Sequence, residues 1–422
     1  MHRDQAALRA VEALNAECRC VSVELPALRA AVEERLRAIG LPADLAASHP
    51  NLFARVPLFL SQSHASYMAE VVRAVEAAAA LPAYREAALA WAPEIARQDS
   101  GARGAFLGFD FHLSAAGPKL IEINTNAGGG FLAAMLGEAA LGCCGTAGSI
   151  ENARPKFEMR AIAMLLEEWR RAGRAGRPQA LAIVDEAPAS QYLYPEFLLA
   201  RSVLRRAGFA AAIAAPEDLE LRGGALYALG ERVDLVYNRL TDFALEAPAH
   251  RALREAYLKG AAIVTPNPRA HALYADKRVL GLLGDAFWLL GAGLDPRLAS
   301  LLGEAVPRTG VVQSGDGPGL WGRRRALFFK PYAGYGSRGA YRGDKLTRRV
   351  FGEILRGWYV AQALVPPAER ADTTVGEPPL KYDLRNFAYG GEVQLVTARL
   401  WRGQTTNFRS EGGGFAPVLL LP

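Results

Sequence analysis

The sequence is poor in cysteine, with four in 422 residues. Cys18 and Cys20 form a Cys-x-Cys pair, and Cys143 and Cys144 are adjacent. Neither spacing is that of a zinc-binding cysteine cluster. Small secreted domains that depend on disulfides are shorter and much richer in cysteine. These absences exclude a disulfide scaffold and a cysteine-based zinc site, and we expect four reduced thiols.

Long hydrophobic runs are also absent. No stretch of 18 consecutive apolar residues occurs, so the sequence predicts no membrane-spanning helix. The first ten residues, MHRDQAALRA, contain an acidic residue and lack the apolar segment of a signal peptide. We therefore expect a cytoplasmic protein with no membrane partner.

The charge is not concentrated in one sign. Lysine and arginine together number 49, aspartate and glutamate 43, and the net charge is +6. The basic residues are mostly arginines spread among acidic ones, and the one dense run, Arg323–Arg325, directly precedes a predicted strand. A nucleic-acid binder more often has a basic stripe with interleaved aromatic residues. We therefore expect no nucleic-acid partner, whereas a modest positive field favours anionic small molecules.

Composition and pattern changes predict a globular chain of several domains. Hydrophobic residues make up 51% and charged residues 22% of the chain, whose length allows two or three domains. The predicted regions are a helical N-terminal region at 1–97, a polar hairpin region at 98–176, an alternating strand and helix region at 177–270, and a lysine and glycine-loop region at 271–422. In the first region, the predicted helices are Asp4–Arg19, Ala27–Ile39 and His64–Ala80.

The segment GFDFHLSAAGPKLIEIN, residues 108–124, is predicted to form a β-hairpin. Two runs of alternating character flank a turn that we place at Gly117-Pro118. Because side chains alternate along a strand, we expect Ile121 and Ile123 to point into the core.

Three polar side chains interrupt this otherwise apolar hairpin. Asp110 lies on the first predicted strand, and Glu122 and Asn124 share one face of the second. Magnesium prefers oxygen ligands and is usually held by one or two carboxylates together with nucleotide phosphates. The three residues therefore predict a magnesium site, and the alternative is a solvated hairpin edge with incidental acids.

A glycine-rich turn, Asn126–Gly130, follows the hairpin and precedes an apolar helix, FLAAMLGEAAL. Backbone N–H groups at a helix N-terminus bind anions. We therefore expect an anion site beside the metal site, although the glycines are equally consistent with a flexible connection.

From Gln179 onward, apolar strands alternate with helices, which predicts an α/β unit with a parallel sheet. Ligands bind beyond the carboxyl ends of such strands. Asp185 and Arg239 follow two of these strands, and a guanidinium suits a substrate carboxylate. The alternative for Arg239 is a structural salt bridge with Asp234 or Asp242.

A second informative segment is ALFFKPYAGYGSRGAYRGDK. A predicted strand ends at Lys330 and is followed by a G-x-G-x-x-G loop, 334–339. A dinucleotide-binding fold needs a helix that begins at these glycines, and here the residues that follow favour a turn or a returning strand. A strand lysine beside a glycine loop instead predicts a phosphate clamp. The residues expected in this clamp are Lys330, Gly334, Gly336, Ser337 and Gly339.

Further along, YVAQALVPP is predicted to be an apolar strand. Its main chain near Leu364 and the side chain of Gln362 are candidates for contacting an adenine ring, and the alternative is an ordinary buried strand. We expect a helix that carries Lys277, a loop over Glu304–Gly322, and a second hairpin, KYDLRNFAYGGEVQLVTARLW, with arginines on both strands.

These segments resemble the ATP-grasp superfamily, and in particular its circularly permuted members, glutathionylspermidine synthetase and eukaryotic glutathione synthetase. The Asp110, Glu122 and Asn124 spacing is similar to their metal motif, FFKPYAGYGSRG to their lysine and glycine-loop segment, and YVAQALVPP to their adenine hinge. In ordinary members the lysines come first and the metal motif last, and here the order is reversed. The resemblance covers about residues 100–415.

The resemblance implies an α/β (α+β) ATP-grasp fold that is circularly permuted, with a Rossmann-like substrate domain at 177–270 and a helical N-terminal region. It implies an ATP- and Mg²⁺-dependent carboxylate–amine ligase with small-molecule substrates, two Mg²⁺ ions and an acylphosphate intermediate. Lys277 corresponds to the first nucleotide lysine, and Arg385 and Arg239 are the arginines expected to contact the reacting groups. The sequence leaves open whether the protein is a homodimer.

Two positions depart from the family pattern. Gly108 stands where glutathionylspermidine synthetase has an arginine, so the corresponding contact must come from elsewhere, with Arg103 and Arg385 as candidates. Gly334 stands where glutathione synthetase has a metal-binding glutamate. The substrates therefore stay open, and the alternative function is a nucleotide-binding protein or regulator without ligase activity.

Overall fold

The computed structural model describes residues 2–18, 21–23, 25–38, 44–136, 140–141, 153–334, 339–372 and 377–422. The predictions on Gly336 and Ser337 lie outside these residues. The α-helices are α1 His2–Glu17, α2 Leu25–Arg37, α3 Leu45–Ser48, α4 Gln62–Ala80, α5 Pro82–Ala90, α6 Gly130–Leu136, α7 Ala153–Arg171, α8 Tyr194–Arg206, α9 Arg251–Lys259, α10 Pro268–Ala270, α11 Val279–Leu283, α12 Ala286–Gly291, α13 Pro296–Ala305, α14 Gly317–Arg323 and α15 Arg348–Arg356.

The strands alternate with these helices, which confirms the predicted mixed α/β class. They are β1 Ser22–Val23, β2 Leu58–Ser61, β3 Leu107–Ser114, β4 Gly117–Asn124, β5 Ala140–Leu141, β6 Ala180–Val184, β7 Ala210–Ala214, β8 Leu219–Arg222, β9 Ala225–Ala228, β10 Glu231–Val233, β11 Leu235–Asn238, β12 Ile263–Thr265, β13 Thr309–Val311, β14 Leu327–Pro331, β15 Tyr341–Arg342, β16 Tyr359–Ala363, β17 Ala368–Arg370, β18 Leu380–Tyr389, β19 Glu392–Trp401, β20 Gly414–Ala416 and β21 Val418–Leu421.

The central sheet is antiparallel, in the order β20-β19-β18-β3-β4, with β17 also paired to β18. The two predicted hairpins, β3-β4 and β18-β19, therefore lie side by side although more than 250 residues separate them. One face of the sheet buries alternate apolar residues such as Phe109, Phe111 and Leu384 against α4. The other face carries Asp110 and Arg385, which are directly paired across β3 and β18.

The β3-β4 hairpin differs from the prediction in two details. The turn lies at Ala115-Ala116, and Pro118 is part of β4, which tolerates a proline because it is the edge strand. A β-bulge also shifts the register between Asp110 and Phe111. The extra residue changes the alternation, so Ile121 lines a cavity rather than the core, which corrects the expectation for that side chain.

The N-terminal region is joined to the rest of the fold. Helices α1, α2 and α4 confirm the three predicted helices to within a few residues. Strand β2 pairs in parallel with β21, at the other end of the described chain, and α4 packs on the central sheet. The proposed boundary near residue 97 stays a prediction.

The strand and helix region contains a four-stranded parallel sheet, in the order β12-β11-β6-β7. Leu181 and Ile183 of β6 face one hydrophobic cluster, whereas Ala182 and Val184 face another. A sheet buried on both faces is typical of parallel α/β units. The parallel sheet predicted from the sequence is therefore confirmed.

A third sheet carries Lys330, in the antiparallel order β13-β16-β14-β15. Its edge strand β13 and most of the following helix α14 lie within Glu304–Gly322, which we expected to be loop. That expectation is wrong because β13 is only three residues long and contains Gly310, so its strand pattern is too short to recognise.

Glu168 of α7 ties several segments together. Its buried carboxylate accepts hydrogen bonds from the backbone of Arg103 and Gly104, at 2.8 and 3.0 Å. It also accepts one from the Tyr389 hydroxyl at 2.8 Å and one from the Thr265 hydroxyl. One side chain thereby links α7 with the ends of β12 and β18 and with the segment before β3.

No helix among the described residues is long and apolar enough to span a membrane.

We expect Glu168→Ala to lower the free energy of unfolding by about 3–5 kcal/mol, because several buried donors lose a charged acceptor. Urea unfolding followed by circular dichroism measures this change. The neighbouring Glu167→Ala is the matched control, since Glu167 pairs with Arg170 at the surface and its loss should cost less than about 1 kcal/mol. Equal effects of the two substitutions would contradict the linking role of Glu168.

Candidate functional site

A cavity of about 1100 Å³ lies between the central sheet and the sheet that carries Lys330. Most of the predicted site residues line it: Asp110, Glu122, Asn124, Lys277, Lys330, Gly334, Leu364 and Arg385. Gln362, Gly339 and Arg239 are not among its lining residues. A second cavity, of about 1390 Å³ beside α12 and β13, contains none of the predicted residues.

Asp110 lies at the centre of a charged network. Arg385 forms a bidentate pair with it, with Nε donating to Oδ1 and Nη2 to Oδ2, both at 2.7 Å. Nη2 of Arg399 donates to Oδ2 at 2.8 Å, and Nδ2 of Asn124 donates to the same oxygen at 3.0 Å. Burial favours the protonated acid, but the two arginines outweigh it and hold the pKa of Asp110 below its ordinary value.

Arg399 and Asp383 complete this network, and sequence analysis assigned a role to neither. Both oxygens of Asp383 accept from Arg399 at 2.8 Å, and the Thr406 hydroxyl donates to Asp383 at 3.0 Å. Burial opposes the charge of Arg399, but Asp110 and Asp383 raise its pKa above the ordinary arginine value. The sequence does contain one indication of this network, because alternation along β18 places Asp383 and Arg385 on the same face of the strand. The partner on β19 becomes visible only once the strand register is known.

Lys330 is buried at the floor of the cavity. Its Nζ donates to the carbonyl of Ile121 at 2.8 Å and to Oε1 of Gln362 at 2.9 Å. Burial, together with the nearby Lys277, lowers the pKa of Lys330 to about 8. The amide nitrogen of Gln362 also donates to the Thr309 hydroxyl at 3.2 Å. This bond holds the Gln362 side chain, which in turn orients Lys330.

Lys277 lies in a turn between a π-helical segment, 271–275, and α11, rather than on the helix expected from the sequence. The helical pattern is interrupted because Asp276 adopts an extended conformation and pairs with Arg278. Nζ of Lys277 donates to the carbonyl of Gly334 at 2.7 Å and lies 3.5 Å from the carboxylate of Glu122. The turn therefore places this lysine between the glycine loop and the acidic hairpin.

Arg239 and Asp185 lie at the carboxyl ends of β11 and β6, as predicted. Nη1 of Arg239 donates to the carbonyl of Asn126 at 2.6 Å. Within the described parts of the chain, Arg239 forms an ion pair with neither Asp234 nor Asp242. Burial raises the pKa of Asp185 to about 6, against the opposing effect of Arg239. In this structure Arg239 holds the loop that follows the hairpin.

The predicted anion site at the start of α6 is wrong. The carboxylate of Glu196 accepts the backbone N–H groups of Phe131 and Leu132, at 3.0 and 2.9 Å. The carboxyl group of Glu196, from α8, therefore occupies this helix terminus. The preceding glycines are required for packing, since a Cβ on Gly129 would lie 2.0 Å from the ring of Phe415.

Gly108, where the sequence resemblance implies an arginine, is closely surrounded by other side chains. A Cβ at this position would lie 2.5 Å from Cβ of Ala127 and 3.2 Å from Nε of Arg385. The stem of Arg385 therefore occupies the space that a side chain at position 108 would need. The other candidate, Arg103, lies 3.7 Å from Glu76 and does not line the cavity.

The donor set fits magnesium in part. Glu122 lines the cavity with an exposed fraction of 24%, and Asn124 supplies an amide beside it. Among the residues that the structure describes, no three His, Cys, Asp or Glu side chains are grouped to hold a metal ion. A site here therefore depends on two carboxylates, one amide and phosphate oxygens, which is a common magnesium arrangement.

Comparison with solved structures supports the fold. A glutathione synthetase-like effector from Globodera pallida superposes with a TM-score of 0.54 at 12% sequence identity, over 94% of this chain and 99% of that chain. This chain therefore shares the overall fold of that glutathione synthetase-like effector.

Two further structures are less similar, and the fold assignment does not depend on them. A candidate gamma-glutamylcysteine synthetase from Methylobacillus flagellatus has a TM-score of 0.45 at 12% identity, over 83% of this chain and 86% of its own. The ATP-grasp ligase PsnB, solved with a minimal precursor, Mg and ADP, has a TM-score of 0.29 at 15% identity, over 56% of this chain and 87% of its own. No protein-family model matches the sequence, and a search of curated proteins found no significant match.

We expect Gly108→Ala to displace Arg385 from Asp110 and to lower the free energy of unfolding by about 1–3 kcal/mol, because the new methyl group overpacks the site. Chemical denaturation measures the loss. Gly310→Ala is the matched control, since this strand glycine has open space around its Cα and its substitution should change stability by less than about 0.5 kcal/mol. A fully stable Gly108→Ala protein would show that the close contact is dispensable.

Proposed function

We propose that the protein is an ATP- and Mg²⁺-dependent ligase that joins a carboxylate to an amine through an acylphosphate, on a circularly permuted ATP-grasp fold. One observation carries the proposal. A single cavity brings together groups from segments more than 250 residues apart, among them Asp110, Glu122, Asn124, Lys277, Lys330, Arg385 and Arg399. Such a collection suits phosphoryl transfer, in which the protein mainly positions groups and stabilises charge.

Each group then has a role. Lys277, Lys330 and the backbone at Gly334 hold the nucleotide phosphates, and the main chain at Leu364 lies against the base. Glu122, Asn124 and Asp110 hold Mg²⁺, which neutralises charge on the phosphates when it is bound. No nucleophilic serine, cysteine or histidine is needed.

The two chemical steps balance without another reactant. A carboxylate oxygen of the first substrate attacks the γ-phosphorus, and the bond to ADP breaks. The amine nitrogen then attacks the acyl carbon, inorganic phosphate leaves, and the amine loses a proton. Negative charge develops beside the carboxylate in both steps, and Arg385 lies in the cavity with a guanidinium that suits it.

The parallel-sheet region, 177–270, is proposed as the substrate domain. Arg239 and Asp185 lie at the sheet edge where ligands bind in open α/β folds. Arg239 holds the Asn126 carbonyl, and this contact connects the sheet to the cavity rim. We therefore propose that Arg239 acts by positioning this loop.

The first experiment is Mg²⁺-dependent release of ADP from the purified chain, screened against a matrix of small carboxylates and amines that includes glutathione, amino acids and polyamines. Release that requires both a carboxylate and an amine supports the ligase and names its substrates. Binding of ATP without ADP release for any pair would favour the alternative, a nucleotide-binding protein without ligase activity.

Glu122→Ala should abolish ADP release while leaving the fold intact, because it removes a metal ligand that is partly exposed and that, within the described parts of the chain, has only the ion pair with Lys277 at 3.5 Å. Turnover and the circular dichroism spectrum are measured together. Glu392→Ala, an exposed glutamate at the start of β19, is the control and should keep full activity. A folded, fully active Glu122→Ala protein would refute the proposed metal site.

Nucleotide affinity should fall as the pH rises. Phosphates bind the protonated form of Lys330, and because its pKa is lowered to about 8, the positive charge is lost at higher pH. We expect ADP affinity, measured by calorimetry, to decrease by about tenfold between pH 8 and pH 9.5. Lys330→Met should bind more weakly but with little pH dependence over this range. A wild-type affinity that stays constant from pH 7 to 9.5 would contradict a role for Lys330 in binding phosphate.

A further inference from the structure

The two guanidinium groups that contact Asp110 are held unequally. Arg399 makes two hydrogen bonds to Asp383 as well as one to Asp110, all at 2.8 Å. Asp383 is itself buried and accepts from Thr406. Arg385, in contrast, has Asp110 as its carboxylate partner and pairs with no second acid among the described residues. Arg399 therefore has a fixed anchor of its own, and Arg385 has none.

The carboxylate of Asp110 has little room for another cation. Oδ2 already accepts from Arg385, Arg399 and Asn124, and Oδ1 accepts from Nε of Arg385. A magnesium ion approaches its ligand oxygen to about 2.0–2.1 Å. An ion at that distance would be close to the guanidinium of Arg385, and like charges repel strongly at short range. A bidentate Arg385 and a bound ion therefore compete for Asp110.

We propose that Arg385 and the divalent cation exchange on Asp110, while Arg399 stays in place because Asp383 holds it. Metal binding then releases the guanidinium of Arg385 into the cavity, where it is free to meet the reacting groups. This inference rests on the proposed function, which assigns the metal to this cavity. Binding couplings are reciprocal, so removing the charge of Arg385 must strengthen metal binding by the same free energy that the arginine now opposes.

The test measures Mn²⁺ binding to the full chain without nucleotide, by electron paramagnetic resonance. Arg385→Ala and Arg385→Gln should bind Mn²⁺ about tenfold more tightly than the wild type, because a nearby like charge is gone. Arg385→Lys keeps the charge and should stay close to wild type. Arg409→Ala is the control for net charge, since Arg409 lines the cavity without contacting Asp110, and it should leave the metal affinity unchanged.

A second substitution tests the location of the ion. Adding Glu122→Ala to Arg385→Gln should abolish the gain in affinity, because both carboxylates hold the same ion. Thermal unfolding confirms that each variant is folded. If Arg385→Ala does not fold, the glutamine variant provides the measurement, since its amide retains a hydrogen bond to Asp110.

The exchange is overturned if the folded neutral variants bind Mn²⁺ no more tightly than the wild type, or if Arg409→Ala shows the same gain. These outcomes differ from failure of the proposed function. ADP release by the wild type with no gain in the variants would refute the exchange alone. A gain that depends on Glu122, with no ADP release for any substrate pair, would support the exchange and refute the ligase.

Discussion

The buried carboxylate of Asp110 is the constraint on which the cavity depends. A carboxylate removed from water loses several kcal/mol of hydration, so it needs cationic partners. Arg385 and Arg399 supply three hydrogen bonds of 2.7–2.8 Å from the two neighbouring strands, β18 and β19. If the pairing between β18 and β19 slipped by one residue, a charged side chain would point towards the apolar face of the sheet, where Phe109 lies. The same interaction therefore sets the charge of the cavity and the register of the central sheet.

The position of Gly108 follows from this arrangement. Gly108 stands on β3 at the position where the sequence resemblance implies an arginine. Here the guanidinium comes from Arg385 on the adjacent strand, and its stem passes over Gly108, where a Cβ would lie 3.2 Å from Nε. Gly108 and Arg385 are far apart in the chain, so the sequence around one of them does not reveal its contact with the other.

Local pattern was sufficient to predict the two hairpins, the parallel sheet and the strand that carries Lys330, because alternation or an apolar run within a few residues marks each of them. Two errors arose from contacts between separate segments, and a third from one local backbone conformation. Glu196 fills the terminus of α6 from 65 residues away, and the bulge beside Asp110 turns Ile121 into the cavity. The helix expected at Lys277 is broken by the local conformation of Asp276. These contacts depend on tertiary geometry that single-strand periodicity does not encode.

The charge of the cavity lining bears on how its ligands assemble. Eight lysines and arginines line it against three acids: Lys277, Lys330, Arg342, Lys381, Arg385, Arg399, Arg402 and Arg409 against Asp110, Glu122 and Asp383. Salt bridges to Asp344 and Asp372, outside the lining, neutralise Arg342 and Arg402. A positive surplus remains, which favours phosphates and carboxylates. Under the proposed function, the nucleotide and the metal ion would therefore enter the cavity most favourably together, because the negative phosphates offset the positive charge of the ion.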